Sequence, residues 1–376
     1  MSIKEIQAKS ILRKAKKIDS WFISWYGMNL YRGCSHNCTY CDGRTEKYNV
    51  EGEFGEDVSV KVNAVEILKK ELDPTGKRKP FKKGYVLLGG GVGDAYQPAE
   101  KKYLLARNAL LLLKEYSRPV HILTKSTLIR RDLNLIEEIN RKSRAIVSFS
   151  FSNVNKTVSS IFEPGVPSPE ERLETISFFR DRGIACGMFL LPVIPFVSDT
   201  EEFIVDSVRR AKNAGVSFII FGGLTLKTGR QKDYFLNIIK KYNPGLLKEY
   251  QGLYTSDKWG QPAGRYFSAI NRRFREIVRK YDIPVRIPPE LFRDILSEND
   301  LVTVMLEQID YILKLRGESS PYGYAAYSIS QLKEPLSHIH SDLIKIPGVG
   351  KFTEKIILEI LNAGSSSYYR KLMRSI

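Results

Sequence analysis

The chain has 376 residues, of which 43% are hydrophobic, 27% charged and 11% aromatic, so it can bury a large core and reads as one big soluble domain with an appendage. No stretch of about 20 apolar residues occurs, and the basic N-terminus MSIKEIQAKSILRKAKKIDSW lacks an apolar core segment, so neither a membrane span nor export is expected and the protein is placed in the cytoplasm. A count of 59 Lys and Arg against 42 Asp and Glu gives a net charge of +17, which favours a polyanionic partner such as nucleic acid.

In chain order, a basic segment over 1–19 precedes a region, 20–230, in which apolar runs of strand length alternate with amphipathic runs of helix length. That alternation is the pattern of a parallel α/β domain. Six strands are expected, near Met28–Leu30, Tyr85–Gly90, His121–Lys125, Ala145–Phe151, Ala185–Val193 and Phe218–Leu226, with helices between them at about 62–72, 98–116, 130–142, 168–182 and 199–214. Ser168, Pro169 and Glu171 carry the start signal of the fourth helix: an N-cap serine, a proline in the first turn and an acid placed for a capping box. The alternation stops near residue 230, and 231–327 reads as a mostly helical extension, with helices over Tyr266–Tyr281 and Asp300–Arg316 and a linker over Gly317–Tyr327. A small module over 328–376 closes the chain.

The residues with chemistry gather where these strands end. Cys34, Cys38 and Cys41 follow the first strand as C-x3-C-x2-C, in a chain with only one other cysteine, Cys186. In a compartment that keeps thiols reduced, such a cluster reads as a metal or redox site. Three thiolates suit a cubane of four irons and leave one iron open, whereas a structural zinc site would need a fourth ligand. Gly89, Gly90, Gly91 and Gly93 follow the second strand, Lys125 closes the third, and Ser148 and Ser150 lie along the fourth on one face. Taken alone, the glycines also fit a tight turn, and either serine is in register to reach the strand ends. Cys186 starts the fifth strand, the wrong end for the site, and reads as a small core residue.

The C-x3-C-x2-C loop after a first strand resembles the signature of the radical SAM superfamily. That resemblance implies a partial (β/α)6 barrel over 20–230, a [4Fe-4S] cluster on Cys34, Cys38 and Cys41, and S-adenosylmethionine on the open iron. It further implies reductive cleavage of that cofactor to a 5′-deoxyadenosyl radical, with electrons from a low-potential donor such as flavodoxin or ferredoxin. Tyr40 would contact the adenine region, Gly89, Gly90 and Gly91 the methionyl amine, and Lys125 with Ser148 or Ser150 the carboxylate. The acid that follows such glycines in the family is missing, Asp94 being the nearest.

Longer phrases, SWYGMNLYRGCSHNCTYCDGR, GVGDAYQPAE, TKSTLIRRDL and EPGVPSPEERL, resemble the group related to spore photoproduct lyase. This implies repair of a pyrimidine photolesion or another modification of a DNA base, with Tyr96 as the candidate to relay a hydrogen atom. Residues 343–358, LIKIPGVGKFTEKIIL, resemble a helix-hairpin-helix motif, which implies phosphate contacts by Lys345, Gly348, Val349, Gly350 and Lys351. DNA is favoured over RNA. The alternatives are radical modification of RNA, such as a tRNA base, and a non-catalytic iron–sulfur protein that binds nucleic acid.

Overall fold

The computed structural model describes residues 2–76, 80–90, 92–255 and 259–374. Six parallel strands form the sheet that the sequence pattern implies: β1 (Ser24–Met28), β2 (Tyr85–Leu88), β3 (Val120–Thr124), β4 (Ala145–Phe151), β5 (Ala185–Val193) and β6 (Phe218–Gly223), hydrogen-bonded in that order. With helices in the crossovers, this is the partial (β/α)6 barrel. A seventh strand, Leu12–Asp19, runs antiparallel to β1, and a separate sheet joins Ser2–Ile6, Asp57–Lys61 and Tyr31–Arg32. Ser2–Ile6 and Leu12–Asp19 are hidden in the sequence because most of their residues are exposed and many are charged; Ile18 is the one fully buried side chain of Leu12–Asp19.

Three elements differ from the sequence reading. The first barrel strand lies at Ser24–Met28, ahead of the expected Met28–Leu30, because Trp25 and Tyr26 are buried along with Met28 in a run without alternation. The sixth ends at Gly223, and Leu224 and Leu226 turn instead into a second apolar cluster with Cys38, Tyr40, Ile194, Val197 and Tyr250. The expected linker at Gly317–Tyr327 is helical from Tyr322 to Ser330, because Tyr322, Ala325, Ala326 and Ile329 form an apolar stripe against the helix Glu298–Leu315.

The anticipated capping box is present: the Ser168 hydroxyl accepts from the Glu171 amide at 3.2 Å, and Glu171 accepts from the Ser168 amide at 2.8 Å. The helix Pro169–Arg180 packs on β4 and β5. The main core runs without a break from the barrel strands into the C-terminal helices, so Ile356, Ile357, Ile360 and Tyr369 share it with Val302 and Met305. Trp25 of β1 donates its indole N–H to Asp300 at 3.0 Å, a direct tie between barrel and extension.

Candidate active site

The cysteine loop is held from four sides by its own backbone. Gly33, at φ +79°, sits where a Cβ would lie 2.5 Å from the Asp57 carbonyl, so only glycine lets the loop begin there. Gln97 accepts from the Ser35 amide (3.0 Å) and donates to the Gly33 carbonyl (3.2 Å). The Thr39 amide donates to the Phe162 carbonyl at 2.9 Å, and the Gly165 amide donates to the His36 carbonyl at 3.0 Å. Gln231 donates to the Tyr40 carbonyl at 2.9 Å. These bonds fix the shape of the loop through its backbone, and the Cys41 thiol accepts a hydrogen bond from the Gly43 amide at 3.4 Å.

All three thiols line one cavity of about 330 Å³ at the C-terminal ends of the strands. Gly90, Gly93, Asp94, Lys125, Ser150, Phe189, Leu191 and Pro192 line it too, so each strand end contributes to the same space. Period two brings Leu123 and Lys125, then Ser150, then Phe189 and Leu191 to the interior of their strands. Burial pushes the thiols of Cys34, Cys38 and Cys41 up, Cys38 to about 12, with Lys125 the strongest opposing charge there. Left to themselves they stay protonated; iron would supply the positive charge that makes them thiolates.

Beside the thiols lies a buried ionic network. Tyr40 donates its hydroxyl to Glu163, and the Lys125 ammonium donates to Ser150 Oγ at 2.6 Å and stands 3.4 Å from Glu163. Arg172 donates to Glu163 at 2.7 Å and to the Ser150 carbonyl at 2.7 Å. Burial alone would raise the Glu163 carboxyl, but Arg172 and Lys125 hold it down at about 2, so it is ionised. Ser150 Oγ in turn donates to the Leu191 carbonyl at 3.0 Å. The result is a lysine and a hydroxyl from neighbouring strands, fixed in place and facing the cavity.

Comparison with known proteins agrees with this geometry. The profile of the radical SAM superfamily matches residues 28–202. An uncharacterized protein of Mycobacterium tuberculosis is 31% identical over 281 residues, which cover 74% of this chain and 80% of that protein. The chain belongs to the radical SAM superfamily. An uncharacterized protein of Methanocaldococcus jannaschii is 31% identical over 213 residues, covering 56% of this chain and 74% of that protein. Among solved structures, spore photoproduct lyase complexed with dinucleoside spore photoproduct has the same fold, with a TM-score of 0.55 at 16% identity over 74% of this chain and 79% of that one.

The protein is therefore a radical SAM enzyme, and the cofactors of that family are a [4Fe-4S] cluster and S-adenosylmethionine. The site fits them. The thiols of buried Cys34 and Cys38 and of half-buried Cys41 line the same cavity, and the Lys125 ammonium, held there by Ser150 Oγ, offers a charged donor to a carboxylate. Gly90, at φ +97°, puts bare backbone on the cavity. Gly89 serves otherwise, since a Cβ there would lie 2.2 Å from the Leu123 carbonyl; its role is to let β2 and β3 approach. Gly91 lies outside the described residues.

Two expected residues fall elsewhere in this radical SAM enzyme. Tyr96 does not line the cavity: it is fully buried and donates its hydroxyl to Asp132 at 3.1 Å. Ser148 lies a layer below Ser150 and contacts His121 Nε2 at 2.8 Å, which makes Ser150 the serine at the site. Cys186 is in the core, 1% exposed. Asp94 accepts from the Thr124 hydroxyl (2.7 Å) and from the amides of Tyr96 (2.8 Å) and Lys125 (2.7 Å), so it fixes the loop after β2.

Sequence reasoning missed Glu163, Arg172 and Gln231. The phrase EPGVPSPEERL contains the first two, and an acid beside Pro-Gly was the one available signal.

At the C-terminal hairpin, Lys345 and Lys351 are exposed, while Val349 is buried and its amide already donates to the Ile346 carbonyl at 3.0 Å. Gly348, at φ +84°, sits where a Cβ would lie 2.9 Å from the Ala325 amide nitrogen, so that glycine is required by packing on the helix Tyr322–Ser330. Gly350 has open space about its Cα and precedes the helix Lys351–Ala363. The segment before the turn is a 3-10 helix, His340–Lys345, interrupted at Asp342, in place of the first α-helix of a helix-hairpin-helix. Among the described residues no helix is long and apolar enough to cross a membrane.

Proposed function

We propose that this radical SAM enzyme acts on nucleic acid, with repair of a pyrimidine photolesion or another DNA base modification as the reaction. The observation that carries the reading is the shared cavity, in which the three thiols, the bare backbone of Gly90 and the Lys125–Ser150 pair meet at the end of a chain fold like that of spore photoproduct lyase. The net charge of +17 suits a polyanionic substrate.

Cys34, Cys38 and Cys41 would hold the cluster. The chemistry supplied there is reductive cleavage of S-adenosylmethionine to methionine and a 5′-deoxyadenosyl radical, which removes a hydrogen atom from substrate. Lys125 and Ser150 would orient the methionyl carboxylate, held in register by Glu163 and Arg172, and the Gly90 backbone would face the methionyl amine. Tyr40 is pinned by Glu163 with its ring toward the cavity and would border the adenine. Phe189, Leu191 and Pro192 give an apolar wall that keeps water from the reacting centre. At the C-terminus, Lys345, Lys351 and the turn Gly348–Val349–Gly350 would hold phosphates, Gly350 being the glycine with open space. A flavodoxin or ferredoxin in the cytoplasm would deliver the electron.

The test is anaerobic. The reconstituted protein is given dithionite and S-adenosylmethionine, and 5′-deoxyadenosine is measured with ultraviolet-irradiated duplex DNA, unirradiated DNA and tRNA. Stimulation by irradiated DNA alone supports repair. Stimulation by tRNA or undamaged DNA moves the assignment to base modification, and no 5′-deoxyadenosine above a cysteine-free control overturns a catalytic role.

A further inference from the structure

The connection that leaves β5 carries a strained, partly exposed aromatic residue that does not line the cofactor cavity. Ile194 to Val197 form a four-residue turn closed by the Val197 amide on the Ile194 carbonyl at 3.2 Å. Phe196 stands at its third position with φ +61°, the left-handed region where such turns take glycine. For a bulky side chain this conformation persists only when its surroundings impose it.

They do so here. Tyr250 donates its hydroxyl to the Pro195 carbonyl at 2.5 Å, and Ser198 Oγ accepts from the Ile194 amide (2.9 Å) while donating to the Ser152 carbonyl (3.0 Å). Tyr266 donates to Asp199 at 2.7 Å, just past the turn. The ring is only partly buried in return: Phe196 is 37% exposed and has Tyr250 edge-on at 5.5 Å and Tyr266 at 6.1 Å as backing.

Its location gives it a use. The turn follows Leu191 and Pro192, which line the cavity, and its two ends, Ile194 and Val197, belong to the apolar cluster that contains Cys38 and Tyr40. Phe196 thus stands on the strand-end face of the barrel, on a rigid base, with its ring partly open to solvent.

We infer that Phe196 is a stacking platform for an unpaired base of the substrate strand. This rests on the nucleic-acid reading above. Every nucleobase has a π-face, so one ring at a rigid position accepts a base taken out of its stack without selecting its sequence, while cations elsewhere on the surface hold the phosphates.

The experiment is fluorescence anisotropy of the full chain on a labelled single-stranded oligonucleotide at several salt concentrations, for the wild type and for Phe196→Leu, Phe196→Gly and Phe196→Trp. Phe196→Leu is expected to lower affinity about tenfold at every salt concentration, since one base–aromatic contact is worth that much, and to leave the slope of log K on log salt unchanged because no phosphate contact is lost. Phe196→Gly, which suits the turn and keeps the protein folded, shows the same loss; Phe196→Trp retains wild-type affinity. If the wild type binds and both Phe196→Leu and Phe196→Gly stay within twofold of it, the platform is refuted and the nucleic-acid reading stands. If the wild type binds neither DNA nor RNA, that reading falls and takes the platform with it.

Discussion

The mouth of the barrel and the interior beneath it share strands, with Lys125 four residues beyond His121 and Ser150 two beyond Ser148, yet they treat buried ionisable groups in opposite ways. At the mouth, Glu163 is buried and charged, because Arg172 and Lys125 are within ion-pair distance. One layer down, His121 is buried and neutral. Its Nδ1 meets the Phe22 carbonyl at 3.3 Å and must donate, so Nε2 accepts from the Ser148 hydroxyl at 2.8 Å. Phe22, Phe189 and Phe218 surround the ring, and desolvation lowers the imidazole to about 4. A charge survives burial only where a countercharge is built in with it, and the enzyme makes that investment at the level where a charged ligand must be oriented.

The most severe way to break the comparison is to empty the mouth. Replacing Cys34, Cys38 and Cys41 together by Ala is expected to abolish cluster absorbance and S-adenosylmethionine cleavage while leaving the far-ultraviolet circular dichroism spectrum intact, since the layer below keeps its packing. Next in size is Glu163→Gln, which strands Arg172 in the interior; urea denaturation should show a loss of about 3–5 kcal/mol. Glu163→Leu combined with Arg172→Met should lose less than the two single changes summed, because the pair leaves together.

Acid distinguishes the two layers. The His121 pKa is lowered on folding from 6.5 to about 4, so stability is full above the unfolded value and falls as pH drops from about 6.5 through 4, by about 3 kcal/mol in all. The Glu163 pKa is lowered from 4.5 to about 2, so its contribution remains until pH falls below the usual carboxylate range. The lower layer is therefore expected to yield first, and His121→Gln should flatten the limb between pH about 6.5 and 4; an unchanged limb would reject this account of the layer.

Smaller effects sharpen the picture. Lys125→Met should weaken S-adenosylmethionine binding to the reconstituted enzyme about tenfold by equilibrium titration, the scale of one charge-assisted hydrogen bond. Tyr96→Phe should leave turnover unchanged and cost about 1 kcal/mol in a denaturant series, the value of one buried hydrogen bond. A collapse of turnover in Tyr96→Phe would instead support a relay by this residue from its place behind the cavity.

The parts of this site that could be read from the sequence are those that depend on local pattern. The cysteine spacing, the glycines after β2 and the alternation along β3 and β4 are all set within a few residues; the thiols, Gly90, Lys125 and Ser150 line one cavity, while Gly89 faces β3 and Gly91 lies outside the described residues. Period two could not rank Ser148 against Ser150, since both face inward and only depth separates them. Glu163 was out of reach because its partner Tyr40 lies 123 residues earlier in the chain. Tyr96 misled for a related reason: it follows the strand-end glycines closely, but the Asp94 turn points its ring away from the cavity. At Gly317–Tyr327, the Gly, Ser and Pro residues of the first half masked a helix that begins at Tyr322 and is stabilised by the neighbour it packs on.

The two margins of the barrel sheet bear on how the protein behaves when concentrated. An unguarded outermost strand is a template for pairing with another molecule. Leu12–Asp19 occupies one margin, and the exposed Arg13, Lys14 and Lys16 along it would force like charges together in any such union. At the other margin, β6 is covered by the helix Gly264–Lys280, and the Ile219 amide is already bonded to the Pro284 carbonyl at 2.8 Å. One margin is protected by repulsion and the other by occlusion, so resistance to aggregation should depend on salt at the first and not at the second.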